Sequence, residues 1–450
     1  MPKTERAGMT TGNIAMQIFL FTIPIMAGNF LQQLYHTVDG IVVGQFVSES
    51  ALAAIGTCGP VTFLLICLAL GLSTGSGIII AQYYGAQMKK DLLEAVSTSM
   101  ILLTALGAAF TFIGIAVSGP LMKYILAVPE TELVLATLYL RIYCSGLIFQ
   151  FIYNIVAATL RAFGDSKATL YFLLVSSCMN ICLDLLFVVA FRAGVAGAAW
   201  ATVLSQCASA IVSVVYMFRK YSFLHFKHGG WTFSGEKCKM ALRVGIPTTL
   251  QQAVISCGNI ALQRLVNSFG VTFMAGYTAG TRLESYLVIP SIGFCVGTST
   301  FTGQNIGAKR LDRVRQGYWK TLVMSVISCT LLSAVFMLLR KPLVSLFGVT
   351  GDSLAMGIEY LLLAAPCFVL FGIYQSATGV LQGAGDVMWT MFFSLSSLAL
   401  RVLLSYSLAG IFGYRILPYS MAIAWILVAI GATLRYKSGK WLKHTIVASD

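Results

Sequence analysis

Two acidic residues lie inside long apolar stretches of this 450-residue chain. Asp39 lies within NIAMQIFLFTIPIMAGNFLQQLYHTVDGIVVGQF, residues 13–46, and Asp184 lies within TLYFLLVSSCMNICLDLLFVV. A carboxylate in such a setting costs several kcal/mol, so each acid indicates a functional site rather than a packing position. We therefore expect both residues to bind a cation or to exchange a proton.

Neighbouring polar residues extend this candidate site. Asn180 and Asp184 are four residues apart and share a helix face, and Thr202 lies in the next apolar stretch. Their oxygens are hard ligands that suit Na⁺, whereas two close carboxylates in an apolar medium suit proton exchange. The sequence predicts a cation site at Asp39, Asn180, Asp184 and Thr202 and leaves Na⁺ and H⁺ both open.

Pro24 lies in the same apolar stretch as Asp39. A proline inside a helix removes a hydrogen bond and kinks the helix. We hypothesise that cation entry changes the bend of this helix and expels a bound substrate. Polar, aromatic and methionine side chains suit amphipathic cations, although each of them alone is commonly a packing residue. The candidates for a central substrate cavity are Met26, Gln32, Gln33, Tyr35, His36, Tyr139, Tyr143 and Asn154.

The composition identifies a polytopic membrane protein. Hydrophobic residues make up 58% of the chain and charged residues 10%, whereas soluble domains have about 25% charged residues. The net charge of +14 comes from short Lys and Arg clusters between apolar stretches, which indicates cytoplasmic loops rather than a nucleic-acid partner. The 11 cysteines are scattered without a CxxC pair, so we expect buried hydrophobic positions and no disulfide or structural metal.

Twelve apolar stretches are long enough to cross a bilayer as helices. They cover approximately residues 14–45, 53–83, 93–117, 133–160, 168–190, 195–218, 241–267, 277–304, 316–339, 354–381, 388–411 and 416–436. Basic residues concentrate in the loops on the side of the two chain ends. The distribution predicts a multi-pass protein of the cell (inner) membrane with both termini cytoplasmic.

The chain divides into two similar halves. A polar linker, 219–239, separates an amino-terminal lobe, 1–218, from a carboxy-terminal lobe with a cytoplasmic tail, 240–450. Pro24 matches Pro247, QYYGA matches QNIGA, and LRAFGD matches LQGAGD, all at a nearly constant separation. The sequence therefore predicts an all-α fold of two pseudo-symmetric six-helix bundles, with the substrate near the interface of the repeats.

The two halves differ in their acidic residues. In the second half, Leu262, Arg401 and Ser405 occupy the positions of Asp39, Asn180 and Asp184. Cation coupling is therefore expected only in the first half. Other acids have simpler interpretations. Asp165 and Asp386 follow glycine and are predicted to cap helices or turns, and Glu284 and Glu359 are predicted to be interfacial or paired acids.

Taken together, these motifs resemble the multidrug and toxic compound extrusion (MATE) family. The resemblance covers nearly the whole chain and depends on Pro24 followed by Asp39 in LYHTVDGIVVG, on QYYGA and QNIGA, and on LRAFGD and LQGAGD. It implies an alternating-access antiporter that exports amphipathic, often cationic organic compounds in exchange for Na⁺ or H⁺. The subgroup with an acid on the first helix implies a cation site in the amino-terminal lobe, and the residues Asp39, Asn180, Asp184 and Thr202 fit it.

The sequence also offers an alternative class of transporter and argues against an enzyme. A lipid-linked saccharide or lipid flippase of related architecture is the alternative, and intramembrane arginines favour it: Arg141, Arg264, Arg282 and Arg401. No HExxH, no GxSxG elbow with catalytic partners and no P-loop occurs, so neither an enzyme nor direct ATP drive is expected. We expect a monomer in contact with membrane lipid and a small organic substrate, without a cofactor besides the coupling ion.

Overall fold

The chain is helical throughout the part that the computed structural model describes. That part comprises residues 8–46, 49–126, 128–224 and 231–446, with side chains at all positions except 35–46, 49–53 and 131, and it contains no strand. The α-helices in these ranges are α1 (Ile14–Phe46), α2 (Glu49–Gly85), α3 (Lys89–Pro120), α4 (Glu130–Ser145), α5 (Leu147–Ala162), α6 (Ser166–Asp184), α7 (Gly194–Lys220), α8 (Gly235–Ser268), α9 (Val271–Leu287), α10 (Ile289–Gly307), α11 (Leu311–Leu338), α12 (Arg340–Ser345), α13 (Gly351–Ala364), α14 (Cys367–Gly383), α15 (Val387–Phe412) and α16 (Ile416–Lys437).

Short turns of other helix types follow some of these helices. π-Helical turns cover Leu121–Ile125 and Leu185–Ala190. Short 3₁₀ turns cover Ser222–Leu224, Gly413–Arg415 and Lys440–His444. The π-helical turn at Leu185–Ala190 directly follows Asp184, and such turns are frequent at functional sites.

Each of the twelve predicted spans coincides with one helix or with two consecutive helices. Seven helices of the described chain are long and apolar enough to cross a membrane alone, and nine spans result when each bent pair counts as one. The bent pairs are α4 with α5, at 43°, and α13 with α14, at 40°. The prediction of an all-α polytopic protein is confirmed, and the cytoplasmic location of the termini stays a prediction.

The helices form two compact units. The N-unit comprises Ala27–Ile80 and Met88–Thr249, and the C-unit comprises Met1–Met26, Ala81–Gln87 and Leu250–Asp450. Helix α1 passes from the C-unit to the N-unit two residues after Pro24, and α8 passes from the N-unit to the C-unit two residues after Pro247. The lobe boundaries predicted from the sequence stay a prediction.

Each unit contains a close helix contact at a matching repeat position. In the N-unit, a Cβ atom on Gly71 of α2 would lie 2.6 Å from the backbone nitrogen of Thr249 in α8. In the C-unit, a Cβ atom on Gly293 of α10 would lie 2.7 Å from the Cγ atom of Met26 in α1. Glycine at both positions lets the first segment of α1 or α8 pack directly on α10 or α2.

Within the C-unit, the ends of α2 and α10 cross at the repeated QxxGA motif. A Cβ atom on Gly85 would collide with the backbone oxygen of Gln304, and one on Gly307 with the backbone oxygen of Gln82. The glutamine side chains hold other segments. Gln82 donates from Nε2 to the Gly383 carbonyl at 2.9 Å, and Gln304 accepts from the Met9 backbone N–H at 2.6 Å. The motif recurs because each copy packs against the other.

The two repeated Gly-Asp turns use their acids differently. Asp165 caps α6 as predicted, because its Oδ1 accepts from the backbone N–H of Ala168 at 3.3 Å. Its Oδ2 also accepts from Lys220 at 2.7 Å. Asp386 precedes α15 without capping it and instead accepts from Arg435 Nε at 2.8 Å. Asp165 therefore caps its helix as predicted, whereas Asp386 lies in the turn before α15 and anchors α16 through an ion pair.

The helix crossing predicts that Gly307→Ala destabilises the protein. The added methyl group meets the α2 backbone, which has no side-chain rotamer through which to relax, so we expect a loss of about 1–3 kcal/mol or more. The measurement is the thermal unfolding temperature of detergent-purified protein. Gly410→Ala is the matched control, because a Cβ atom there meets nothing within 4 Å and alanine favours a helix. Equal unfolding temperatures for the two variants would show that the crossing of α2 and α10 has space for a methyl group.

Candidate functional site

Three of the four residues predicted to hold a cation meet where α6 packs on α7. Asn180 and Asp184 are each 1% exposed. When the amide is oriented to satisfy both neighbours, Asn180 Nδ2 donates to Asp184 Oδ2 at 2.7 Å. Its Oδ1 then accepts from the backbone N–H of Thr202 at 3.3 Å. The structure therefore brings three of the four predicted residues together.

Thr202 joins this group through its backbone. Its hydroxyl donates to the carbonyl of Ala198, one turn earlier on α7, at 3.1 Å. A hydroxyl that donates in this way keeps a lone pair for another partner. Thr202 therefore fixes the amide of Asn180 and retains an acceptor on the same helix.

The fourth predicted residue, Asp39, lies on α1, whose backbone is helical from Ile14 to Phe46. Its side chain, like those of Tyr35 and His36, is outside the described residues. The placement of these three side chains stays a prediction. Among the side chains that are described, no group of three His, Cys, Asp or Glu is arranged to hold a metal ion.

Three of the predicted substrate residues form a second polar cluster in the N-unit. Tyr143 of α4 donates from its hydroxyl to Gln150 Oε1 of α5 at 3.4 Å. Its ring stacks on that of Tyr139, with centroids 6.3 Å apart, and Asn154 Nδ2 donates to the Gln150 carbonyl at 2.8 Å. Gln206 of α7 also lies near the hydroxyl of Tyr143. Because Gln206 is one turn from Thr202, α7 joins this cluster to the Asp184 group.

Sequence reasoning missed Gln150, which joins α4 to α5 in this cluster. It is buried with 8% exposure. The available signal was a single amide within the apolar run LIFQFIY, since a buried polar side chain requires a partner. The sequence offered no sign of which partner that was, because Tyr143 belongs to the other side of the break at Gly146.

Three further substrate candidates, Met26, Gln32 and Gln33, lie on α1. Gln32 is exposed and Gln33 is partly exposed on α1. Met26 belongs to the C-unit, where it packs beside Phe21 and Phe294 in a hydrophobic cluster. Met26 therefore fills a helix contact within that unit.

The C-unit contains a cavity of about 500 Å³ that the sequence did not indicate. Glu284 of α9 and Arg401 of α15 both line it. Tyr360 of α13 donates from its hydroxyl to Glu284 Oε1 at 2.7 Å. The hydrogen-bond partner of Glu284 is thus a tyrosine, and Glu284 lines a cavity.

The intramembrane arginines favoured by the flippase alternative are dispersed. Arg264 and Arg282 are exposed, and neither lines the cavity described above. Arg141 of α4 donates from Nε to Ser118 Oγ at 3.1 Å, within the N-unit. Only Arg401 of these four residues lines that cavity. They do not assemble into the strongly cationic pocket that a pyrophosphate group requires.

Comparison with known proteins agrees with the internal repeat. A family model described as MatE matches residues 24–186 and 247–407, so the two matches begin at Pro24 and Pro247. The probable multidrug resistance protein YpnP of Bacillus subtilis (strain 168) is 31% identical over 436 residues, with 96% of this chain and 97% of that protein covered.

More distant relatives extend over the same length. The probable multidrug resistance protein NorM of Thermotoga maritima is 25% identical over 475 residues, with 100% of this chain and 97% of that protein covered. The solved outward-facing structure of a multidrug resistance MATE family transporter of the MOP superfamily has a TM-score of 0.91 and 25% identity, with 97% of this chain and 98% of that chain covered. With both halves matched and nearly the whole length shared, the chain belongs to the MATE family and is a multi-pass membrane transporter, not an enzyme.

Proposed function

We propose that the protein is a secondary active antiporter that exports amphipathic, often cationic organic compounds. The names of its relatives YpnP and NorM, both probable multidrug resistance proteins, support this substrate class. The observation that carries the coupling mechanism is the buried Asn180–Asp184 pair, with each residue 1% exposed. The amphipathic substrate and the surrounding membrane lipid are its partners, and a monomer stays our expectation.

The location of Asp184 supports coupling to a cation. A carboxylate in a helix bundle of low dielectric constant is costly when charged, and a bound proton or metal cation offsets that cost. Binding or release of a monovalent cation therefore changes the charge at Asp184 by one unit, in a medium where charge is poorly screened. In this proposal Asp39 of α1 completes the site, so the cation joins α1 to α6.

The Asn180 amide has two orientations, and each suits a different coupling ion. In the one that satisfies both neighbours without an ion, the amide presents its NH₂ group to Asp184 and gives its oxygen to the Thr202 backbone. A sodium ion at this carboxylate needs further oxygen ligands, which Asn180 supplies only after its amide rotates. A proton needs no such change. Na⁺ is the second candidate because one rotation of the amide brings the oxygen to the carboxylate.

The course of α1 suggests how the cation event reaches the substrate. The helix changes units between Met26 and Ala27, two residues after Pro24. The residue at which the helix lacks a hydrogen bond is therefore next to the point where the two units share it. We propose that the cation at Asp39 and Asp184 selects between two bends of α1, and that Gln32 and Gln33 meet the substrate beyond the bend.

The carboxylate predicts that Asp184→Asn abolishes coupled efflux while leaving the fold intact. The amide is nearly isosteric with the carboxylic acid but does not release a proton or bind a cation. We expect gradient-driven efflux of ethidium from proteoliposomes to fall by about tenfold or more, within the range of coupling between two ligand sites. The matched control is Asp352→Asn at the exposed start of α13, which should behave like wild type. Full efflux by Asp184→Asn would refute the proposed site.

The amide orientation predicts which gradient drives the protein. Wild-type proteoliposomes loaded with ethidium should release it when the outside is made acidic. A Na⁺ gradient at equal pH should give no more than about a tenth of that rate, because in this proposal the Asp184 carboxylate takes up a proton. The same vesicles with Asp184→Asn protein give the leak rate for both gradients. Release driven by Na⁺ alone would replace the proton with sodium and require the rotated amide.

A further inference from the structure

The cavity of the C-unit has the size of a small-molecule site. Its volume of about 500 Å³ lies within the range of ligand pockets. Its walls come from α8, α9, α14, α15 and α16, all in the C-unit. Neither Asn180 nor Asp184 lines it.

Arg401 supplies a cation with unused hydrogen-bonding capacity to the cavity wall. Its Nε atom is buried and has no hydrogen-bond partner among the described residues. Arg401 is also absent from the ion pairs formed within the described ranges. A guanidinium in a membrane protein is costly without an anion, and its planar fork matches a carboxylate or a phosphate. The residue is therefore suited to receive an anionic group from a ligand.

Glu284 supplies the opposite charge on the same cavity. Tyr360 donates to one of its oxygens, Oε1, at 2.7 Å, and this bond holds the carboxylate in place. Glu284 lies on α9 and Arg401 on α15, and the two charges line the cavity from different helices. They attract each other across it but form no direct ion pair within the described residues. A ligand that carries both signs satisfies both groups at once.

An aromatic wall completes the cavity. Trp425 of α16 lies against Phe371 of α14, with ring centroids 4.8 Å apart, and against Phe368 at 5.2 Å. All three residues line the cavity. Rings arranged in this way offer a large apolar surface to the body of an organic molecule.

We propose that the C-unit cavity binds an amphipathic organic zwitterion. The anionic group of the ligand lies on Arg401, its ammonium group lies on Glu284, and its apolar body packs against Phe371 and Trp425. This adds a second ligand site and a substrate class to the coupling site at Asp184. The inference is tested by binding alone, so it stands or fails independently of coupled transport.

The same chemistry occurs in a free compound and in the head group of phosphatidylethanolamine. The experiment uses purified full-length protein in nanodiscs made from phosphatidylcholine and phosphatidylglycerol. Three probes share one indole ring: L-tryptophan has both charges, indole-3-propionate has only the carboxylate, and tryptamine has only the ammonium. Binding is measured by isothermal titration, and a parallel set of nanodiscs contains phosphatidylethanolamine.

We expect the zwitterion to bind about tenfold or more tightly than either single-charge probe, since each charge meets its own partner. Arg401→Gln should lower the affinity for tryptophan and for indole-3-propionate by about tenfold or more. The affinity for tryptamine should stay within about twofold of the wild-type value. Glu284→Gln should lower the affinity for tryptophan and tryptamine and leave the affinity for indole-3-propionate unchanged. Arg264→Gln, at an exposed arginine that does not line the cavity, should change none of them.

The binding of the three probes to the wild-type protein tests the proposal independently of the variants. Equal affinities for the three probes in wild-type protein would overturn the proposal even if Arg401→Gln failed to fold. Retained carboxylate binding by folded Arg401→Gln protein would also overturn it. Loss of tryptophan binding only in the phosphatidylethanolamine nanodiscs would support the zwitterion site and identify the lipid head group as its occupant.

Discussion

The crossing of α2 and α10 at Gly85 and Gly307 is the constraint on which the C-unit depends. Two helix backbones meet there with no space for a Cβ atom on either side. The adjacent glutamines, Gln82 and Gln304, then bind the end of α14 and the segment at Met9. A contact made of backbone has few alternative arrangements, because side-chain rotamers cannot adjust it. The crossing therefore sets the position of α10, and α10 in turn receives the first part of α1.

The positions of Pro24 and Pro247 follow from the way the two units share helices. A helix that begins in one unit and ends in the other either transmits a movement of one end or absorbs it by bending. In α1 and α8 the transfer from unit to unit occurs two residues after Pro24 and Pro247. Both helices thus have their weakest backbone hydrogen bonding at the transfer point. The proline belongs to the repeated fold, and of these two helices only α1 carries an acid beyond it.

Sequence reasoning succeeded where the signal was local. Apolar length located the spans, and the four-residue spacing of Asn180 and Asp184 placed both on the buried face that the structure shows. It did not reveal the π-helical turn after Asp184, because apolar residues suit either helix type. It also missed the C-unit cavity, since Glu284 and Arg401 are distant in the chain and meet only through tertiary packing. Gln150 was missed because its partner is fixed by the helix break at Gly146.

The repeat also explains why two kinds of charge can coexist in one transporter. Arg401 occupies the position in the second half that Asn180 occupies in the first. If an arginine replaced Asn180 itself, it would form an ion pair with Asp184 and hold the carboxylate in its charged state. Because the guanidinium belongs to the C-unit and Asp184 to the N-unit, neither neutralises the other within its own helix bundle. In our two proposals, the duplicated fold thus provides one position for an acid that takes up a cation and a matching position for a guanidinium that receives an anion.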